Sequence, residues 1–443
     1  MTDGKKSFFI NAYLAPPPPM KENGFSDEVR KKGFATLKNG NFTHVMGFYE
    51  KAGINDEEVG KSAEIAKSAG LKYLVNYAFA GRNFEDEKFA RSVRRFAPIT
   101  DGAVLFDEPG IKQFPALEKE LRIYDAEKRS DGFAYVNLPS AENPPWFLSN
   151  GMWTERDDSA DCDFDEYLSE FFALGFDYVS YDDYPFFDDA PLKNGYLKQL
   201  ATVSARSRER GVPFFPYIQS CSWQKGVRTP NFAEVLWQCG VSVAFGAGGV
   251  QYFCFFTPYS NGENRRAVAM LDFDGNPTER FFAASTFNGF LKRIEADYFS
   301  LSHEKTVLLS AVGKNACAVK KNASGDAKKP FDDGRSKAIS ALSMVSDGVM
   351  IEREAEFCKV KVASDAAFVG FFSQKNGGKE QNEKFALFLS NAFFDRETEA
   401  IIENSGKNVC KMSDFCGTTI VKKDRFSVKL GKGESAFLFF SGN

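Results

Sequence analysis

The sequence predicts an α/β protein: a (β/α)8 TIM barrel followed by a C-terminal antiparallel β-sandwich. Three observations carry this. Up to about residue 300, eight short apolar runs alternate with eight amphipathic helical stretches, and eight is the number that closes a barrel. Six or seven would have suggested an open sheet. From about Lys305 the pattern changes to short strands separated by turn residues, the signature of an antiparallel sandwich. Finally, 443 residues are too many for one ordinary domain but suit a barrel with an accessory domain. The expected division is 1–300 for the barrel and 301–443 for the sandwich.

The first strand reads Phe8 to Leu14, and Pro16 to Pro19 after it form a stiff, extended rim loop. A helix capped by Ser26 runs to Leu37, and Asn39-Gly40 stops it. Strand 2, Thr43 to Tyr49, ends at Glu50; Asn55 caps the next helix, which has Asp56 and Glu57 in its first turn and stops at Gly70. Strand 3 is Lys72 to Ala78, with a helix over Glu85 to Phe96. Strand 4, Gly102 to Phe106, is a continuous apolar run, as expected of a strand covered on both faces. It ends in Asp107, Glu108 and Pro109, and Pro109 cannot donate to a sheet ladder.

The pattern then repeats. A helix over 115–127 leads to strand 5, Gly132 to Leu138, and a long loop containing Trp146 and Trp153 precedes the helix Phe164 to Leu174. Strand 6, Tyr178 to Tyr181, ends in Asp182-Asp183-Tyr184-Pro185. A helix over 194–210 leads to strand 7, Pro213 to Ile218, ending at Gln219. Helix 231–239 precedes strand 8, Gly249 to Phe255, and Asn276-Pro277 opens a last helix to about Ala296. Beyond it, the strands 306–309, 368–372, 384–389 and 436–440 are separated by turn signals at 346–348, 375–378 and 431–433, with a Lys-, Asp- and Gly-rich loop over 322–338.

Composition narrows the function classes. Hydrophobic residues make up 43% and Phe numbers 47, enough for a large, phenylalanine-rich core. A net charge of -4 gives no reason to expect nucleic acid or an anionic membrane as partner. No apolar run approaches a membrane span, and the first residues lack a signal peptide's apolar segment, so a cytoplasmic location is expected. The eight cysteines lack close metal-ligand spacing and read as reduced, buried thiols. Only two histidines, His44 and His303, are present, which removes most zinc and Ser-His-Asp schemes; His44, inside an apolar strand, reads as a core residue. No metal and no cofactor are expected, and no residue pattern fixes an oligomeric state.

Barrel enzymes work at the C-terminal ends of their strands. Those ends here are Asn11 and Tyr13, Tyr49 and Glu50, Asn76 and Tyr77, Asp107 and Glu108, Asn137, Asp182 and Asp183 with Tyr184, Gln219, and Tyr252. Trp146, Trp153, Trp223 and Trp237 lie near them in sequence. Carboxylates and amides pair with sugar hydroxyls, and aromatic faces with the C–H-rich side of a sugar, so the ring suits a carbohydrate partner. Each position also has a plain structural explanation: tyrosines at strand ends are common rim residues, and Asn137 can serve a turn. No Walker-type phosphate loop and no strand-end lysine for a Schiff base are present.

The barrel, Phe-Asp-Glu-Pro after strand 4, Ser-Tyr-Asp-Asp-Tyr-Pro after strand 6 and Met-Leu-Asp-Phe-Asp-Gly-Asn-Pro-Thr-Glu-Arg after strand 8 together resemble clan A glycoside hydrolases, in particular the β-galactosidase-like family 42. Phe426 to Glu434 resembles the final strand pair of the sandwich in such enzymes. The resemblance implies that Glu108 is the acid/base, with Asp107 in place of the usual Asn. It also implies a nucleophilic Glu at the end of strand 7, where this chain has Gln219; Glu234, on the following helix, is a poor substitute.

Glycoside hydrolysis calls for two carboxyl groups across the scissile bond, roughly 5–5.5 Å apart for retention and 6.5–9.5 Å for inversion. Adjacent strand residues point to opposite faces, so Asp107 and Glu108 are not expected to share the pocket, nor Asp182 and Asp183. Asp182, continuing strand 6 directly, is the expected partner. The leading expectation is a glycosidase acting on small oligosaccharides or glycosides, with catalytic Glu108 and Asp182 and with Asn11, Tyr13, Glu50, Asn76, Tyr77, Asp107, Asn137, Trp153, Asp183, Tyr184, Gln219, Trp223 and Tyr252 around the substrate. The alternative is a non-catalytic carbohydrate-binding barrel, because of Gln219. A lyase or isomerase has no motif in its favour.

Overall fold

The computed structural model describes residues 6–19, 25–50, 52–53, 55–78, 85–141, 146–148, 162–189, 192–193, 195–257, 268–272, 274–311, 350–352, 354–355, 360–374, 384–404 and 409–441. Eight parallel strands alternate with eight helices. The strands are β1 (Phe9–Ala12), β2 (His44–Met46), β3 (Lys72–Asn76), β4 (Gly102–Asp107), β5 (Phe133–Asn137), β6 (Val179–Tyr181), β7 (Phe214–Gln219) and β8 (Gly249–Phe253). The helices are α1 (Asp27–Asn39), α2 (Asp56–Ser68), α3 (Asp86–Phe96), α4 (Phe114–Glu127), α5 (Phe164–Ala173), α6 (Tyr196–Arg210), α7 (Phe232–Ala244) and α8 (Glu279–Phe299).

The sheet order is β5-β4-β3-β2-β1-β8-β7-β6. The ring is completed beyond the strand ends, where Leu138 bridges Tyr181: Leu138 N donates to Ser180 O at 2.8 Å and Asp182 N to Leu138 O at 3.1 Å. That seam ties the end of β5 to the first acid after β6.

Helix starts follow local chemistry. Ser26 Oγ accepts from Val29 N at 3.3 Å, as its cap position predicts. Asn55 stands at the N-cap of α2 but makes no side-chain cap bond; the acids Asp56, Glu57 and Glu58 face the positive helix end instead. At α7, Asn231 and Glu234 form a reciprocal capping box, Asn231 Oδ1 accepting from Glu234 N at 3.0 Å and Glu234 Oε2 from Asn231 N at 2.9 Å. Glu234 is thereby committed to ending a helix.

The chain divides into two compact units, one of residues 1–184, 206–230 and 247–292, the other of 185–205, 231–246 and 293–443. The first holds all eight barrel strands. Inside it, alternate strand residues meet at the axis. An aromatic layer comes first: the Phe9 ring lies 4.3 Å from His44 and 4.7 Å from Phe215. Burial holds the His44 imidazole well below its usual pKa, in keeping with a core role.

The second unit contains the sandwich. Its strands are β9 (Ser302–Ser310), β10 (Met350–Glu352), β11 (Glu354–Ala355), β12 (Val360–Ser364), β13 (Ala366–Ser373), β14 (Phe385–Asn391), β15 (Thr398–Glu403), β16 (Val409–Ser413), β17 (Thr418–Val421), β18 (Arg425–Leu430) and β19 (Ser435–Ser441). They form a sheet β10-β9-β13-β14-β19-β16-β17 and a sheet β11-β12-β15-β18. The core between them includes Val307, Leu309, Val369, Phe371, Leu387 and Leu438. One pair departs from the antiparallel expectation, since β9 and β10 run parallel. Trp237 of α7 is buried in this unit and donates Nε1–H to Ala392 O at 3.1 Å, so it serves packing. The turn signals at 346–348 and 375–378 and the loop 322–338 lie outside the described residues.

Candidate active site

The site is built around the end of β4. Opposite β5, the register of β4 shifts between Val104 and Phe106, a bulge that re-aims the residues after it. Asp107 then faces the axis, where its Oδ1 accepts from Asn137 Nδ2 at 3.2 Å and its Oδ2 from Tyr13 Oη at 3.4 Å. Glu108 leaves the extended conformation altogether: its φ is +47° while its N–H still donates to Asn137 O at 2.8 Å. Tyr167 Oη, donating to Pro109 O at 2.6 Å, fixes the turn from outside. Strand alternation would have sent these two acids to opposite faces. The left-handed backbone at Glu108 cancels that rule and brings both into one pocket.

Across the pocket stands Asp182. The carboxyl groups of Glu108 and Asp182 are hydrogen-bonded to each other, and Tyr184 Oη also donates to Asp182. Burial pushes the Glu108 carboxyl well above the usual carboxylate range, and the charges of Asp182 and Asp107 push it further. Burial also raises Asp182, to about 6, against the lowering effect of its hydrogen bond with Glu108. Two like charges this close cannot both ionise cheaply, so the ionisation of the two acids is linked. Asp182 Oδ1 is shielded from solvent and has no hydrogen-bond partner among the described residues. Asp183 does turn elsewhere, as alternation predicts: it is buried and Ser140 Oγ donates to its Oδ1 at 3.0 Å.

Beneath the acids lies a buried polar layer. Gln251 Oε1 accepts from Tyr135 Oη at 2.7 Å and from Asn11 Nδ2 at 3.1 Å, and Gln251 Nε2 donates to Ser180 Oγ at 2.8 Å. Ser180 Oγ donates in turn to Asn137 Oδ1 at 3.1 Å, so the chain of bonds ends at the residue that holds Asp107. The Tyr217 hydroxyl lies 3.3 Å from that of Tyr135. Above the layer, half-exposed aromatic rings form a wall. Phe253 stacks on Tyr13 with ring centroids 5.5 Å apart and meets Trp223 and Tyr184, each at 5.4 Å, while Trp223 and Tyr184 are 4.6 Å apart.

Several expected site residues point elsewhere. Tyr252 is fully buried and donates to Asn288 Oδ1 of α8 at 2.7 Å; the inward residues of β8 are its neighbours Gln251 and Phe253. Tyr77 lies on the outer face, its ring against Phe89 and its hydroxyl accepting from Ser92 of α3. Glu50 is buried against Tyr73 and Ser62 of α2, and Phe48 N donates to its Oε2 at 2.9 Å, so it buttresses the end of β2. Tyr252 and Tyr77 share one cause: a strand end has two faces, and only one meets the axis; Glu50 lies in a turn four residues beyond β2. Gln219 is fully buried, with Nε2 donating to Arg228 O at 2.8 Å. Asn76 Oδ1 caps its own strand end by accepting from Ala78 N at 3.0 Å. Trp153 lies outside the described residues, as does the side chain of Trp146.

Sequence reasoning missed Phe253, Gln251, Tyr135, Ser180 and Tyr217. Counting back two from Asn137, Asp182 and Gln219, each at a strand end, would have found Tyr135, Ser180 and Tyr217, since residues i and i−2 share a face. Among the described residues no three His, Cys, Asp or Glu side chains are grouped to hold a metal ion, and no helix is long and apolar enough to cross a membrane.

No family model matches the sequence, and no curated protein matches it. Solved structures do match in fold. The β-galactosidase of Bacillus circulans sp. alkalophilus aligns over 99% of this chain and 100% of its own, with a TM-score of 0.59 at 9% identity. The cold-adapted β-galactosidase of Rahnella sp. R3 aligns over 99% of both chains, with a TM-score of 0.55 at 10% identity. A family 5 glycoside hydrolase of Bacteroides vulgatus aligns over 98% of this chain and 89% of its own, with a TM-score of 0.52 at 10% identity. The chain is clan A glycoside hydrolase-like in fold. Family 42 is not singled out, since a family 5 enzyme matches nearly as well. Within this glycoside hydrolase-like fold, β7 ends in an amide, and the carboxyl groups that act on Glu108 are those of Asp182 and Asp107.

Proposed function

We propose that this chain is a glycosidase that cleaves a glycosidic bond in a small oligosaccharide or glycoside at the C-terminal mouth of its barrel. Glu108 protonates the leaving oxygen, and Asp182 is its carboxylate partner. The observation that carries this reading is the hydrogen-bonded Glu108–Asp182 pair, half-exposed beside a wall of Tyr184, Trp223 and Phe253. Its raised carboxyl is the protonated form a general acid requires near neutral pH. Asp107 stands beside the acid and raises it, and the aromatic rings offer a platform for a sugar face. Assaying a panel of aryl glycosides with the wild type and with Glu108→Gln tests it. Turnover by the wild type that falls by about 10²–10⁴ in the variant supports an acid role, and turnover unchanged by the substitution sinks it.

A second reading, a non-catalytic carbohydrate-binding barrel, draws on Gln219, whose buried amide is committed to Arg228 O. It predicts that calorimetry detects sugar binding while no glycoside in the panel is cleaved.

A further inference from the structure

We infer that the sugar cleaved at this site carries a 2-acetamido group, and that its acetamido oxygen acts as the nucleophile that β7 does not supply. This rests on the glycosidase reading above. Three observations point to it. The end of β7 offers Gln219, buried and bonded to Arg228 O, in place of a carboxylate. The left-handed backbone of Glu108 and the β4 bulge turn Asp107 and Glu108 towards one pocket, where the charges of Asp182 and Asp107 both act on Glu108.

The third observation concerns hydrogen-bonding capacity. Both Asp107 oxygens accept bonds already, from Asn137 and Tyr13. Asp182 Oδ1, shielded from solvent, has no partner among the described residues. It is an acceptor without a donor beside the acid, and an acetamido N–H is a donor of the right kind. A carboxylate that holds this N–H turns the acetamido carbonyl towards the anomeric carbon and supports the positive charge that develops on the amide.

The steps balance with the sugar and water alone. The acetamido oxygen bonds to the anomeric carbon as the bond to the leaving oxygen breaks. Glu108 gives its proton to that oxygen, and the resulting oxazolinium keeps its N–H on Asp182. Water then attacks the anomeric carbon and passes a proton to the Glu108 carboxylate, and the C–O bond to the acetamide breaks again. Because the attack comes from the face opposite the leaving group, the substrate is a 1,2-trans glycoside and the product keeps its configuration.

The test compares 4-nitrophenyl 2-acetamido-2-deoxy-β-glucoside and -galactoside with their 2-hydroxy counterparts, then with N-mono-, di- and trifluoroacetyl analogues. The expected result is kcat/KM higher for the acetamido sugars on the order of a hundredfold. It falls stepwise as fluorine weakens the carbonyl oxygen, and Asp182→Asn lowers it without raising KM in proportion. A 2-deoxy-2-fluoro aryl glycoside, which traps enzyme carboxylate nucleophiles, should add no mass to the protein. Equal or faster cleavage of 2-hydroxy glycosides, or a fluoro-sugar adduct, overturns the inference and leaves the glycosidase reading standing. No turnover of either sugar type overturns both.

Discussion

The carboxyl groups of Glu108, after β4, and Asp182, after β6, are hydrogen-bonded to each other at the barrel mouth, although 73 residues lie between them. Neither is an ordinary surface acid. Burial raises both; Asp182 raises Glu108 further, while the hydrogen bond from Glu108 lowers Asp182 in part. The proposed chemistry centres on this pair, and its consequences can be measured through the two acids.

Turnover should follow a bell-shaped pH profile whose two limbs belong to the pair rather than to either residue. Productive enzyme holds one proton between Glu108 and Asp182. Substituting Asp182→Asn removes one titrating partner, so a single limb should remain. Two unshifted limbs in the kcat/KM profile of that variant would assign the profile to other groups.

Stability should fall as pH rises. Burial pushes Asp182 up to about 6 from the ordinary aspartate value of about 3.9, so between those limits the folded chain keeps a proton that the unfolded chain has released. Folding is favoured by that proton at low pH, and the advantage is lost as pH climbs through about 6; Glu108 acts with the same sign over its own raised range. Urea midpoints measured at pH 5 and pH 8 should therefore be lower at pH 8. In the Asp182→Asn, Glu108→Gln double variant this difference should shrink, and an unchanged difference would place its origin elsewhere.

The backbone at Glu108 carries a cost. A non-glycine residue at φ +47° is in the left-handed region, worth about 1 kcal/mol or more against folding. Asn tolerates that region and removes a crowded charge. Glu108→Asn should raise the thermal midpoint at pH 8 while abolishing the acid, an exchange of stability for function. A lower midpoint would mean that the Glu108–Asp182 contact stabilises the fold.

Gln251 should prove indispensable to the barrel interior. It joins Asn11, Tyr135, Ser180 and the carbonyl of Phe215, all shielded from water. Gln251→Leu keeps most of the volume but strands those partners, at a cost of about 2–3 kcal/mol. Chemical denaturation of the variant measures it, and a loss below about 0.5 kcal/mol, the range of an ordinary surface change, would show that the layer rearranges freely.

The sequence by itself determined the architecture. Period, punctuation and the number of β/α repeats are local properties, so eight strands, eight helices and the following sandwich strands could be read from Phe9, Gly102 or Phe437 and their neighbours. Strand ends also exposed Glu108, Asp107, Asn137, Asp182, Tyr184 and Trp223, because a residue's place at the end of an apolar run is written in the run itself. Tertiary structure decided which of these meet. Asp107 and Glu108 share a pocket only because a bulge and one left-handed residue override the two-residue alternation. Tyr77 and Tyr252 turn outward because strand parity, not proximity to the end, selects the face, and Glu50 lies in a turn beyond its strand. The parallel pairing of β9 and β10 was hidden for a similar reason, since pairing partners far apart in sequence leave no local trace. The interaction between Glu108 and Asp182 exists only because the closed barrel brings two carboxyl groups far apart in sequence to the same mouth.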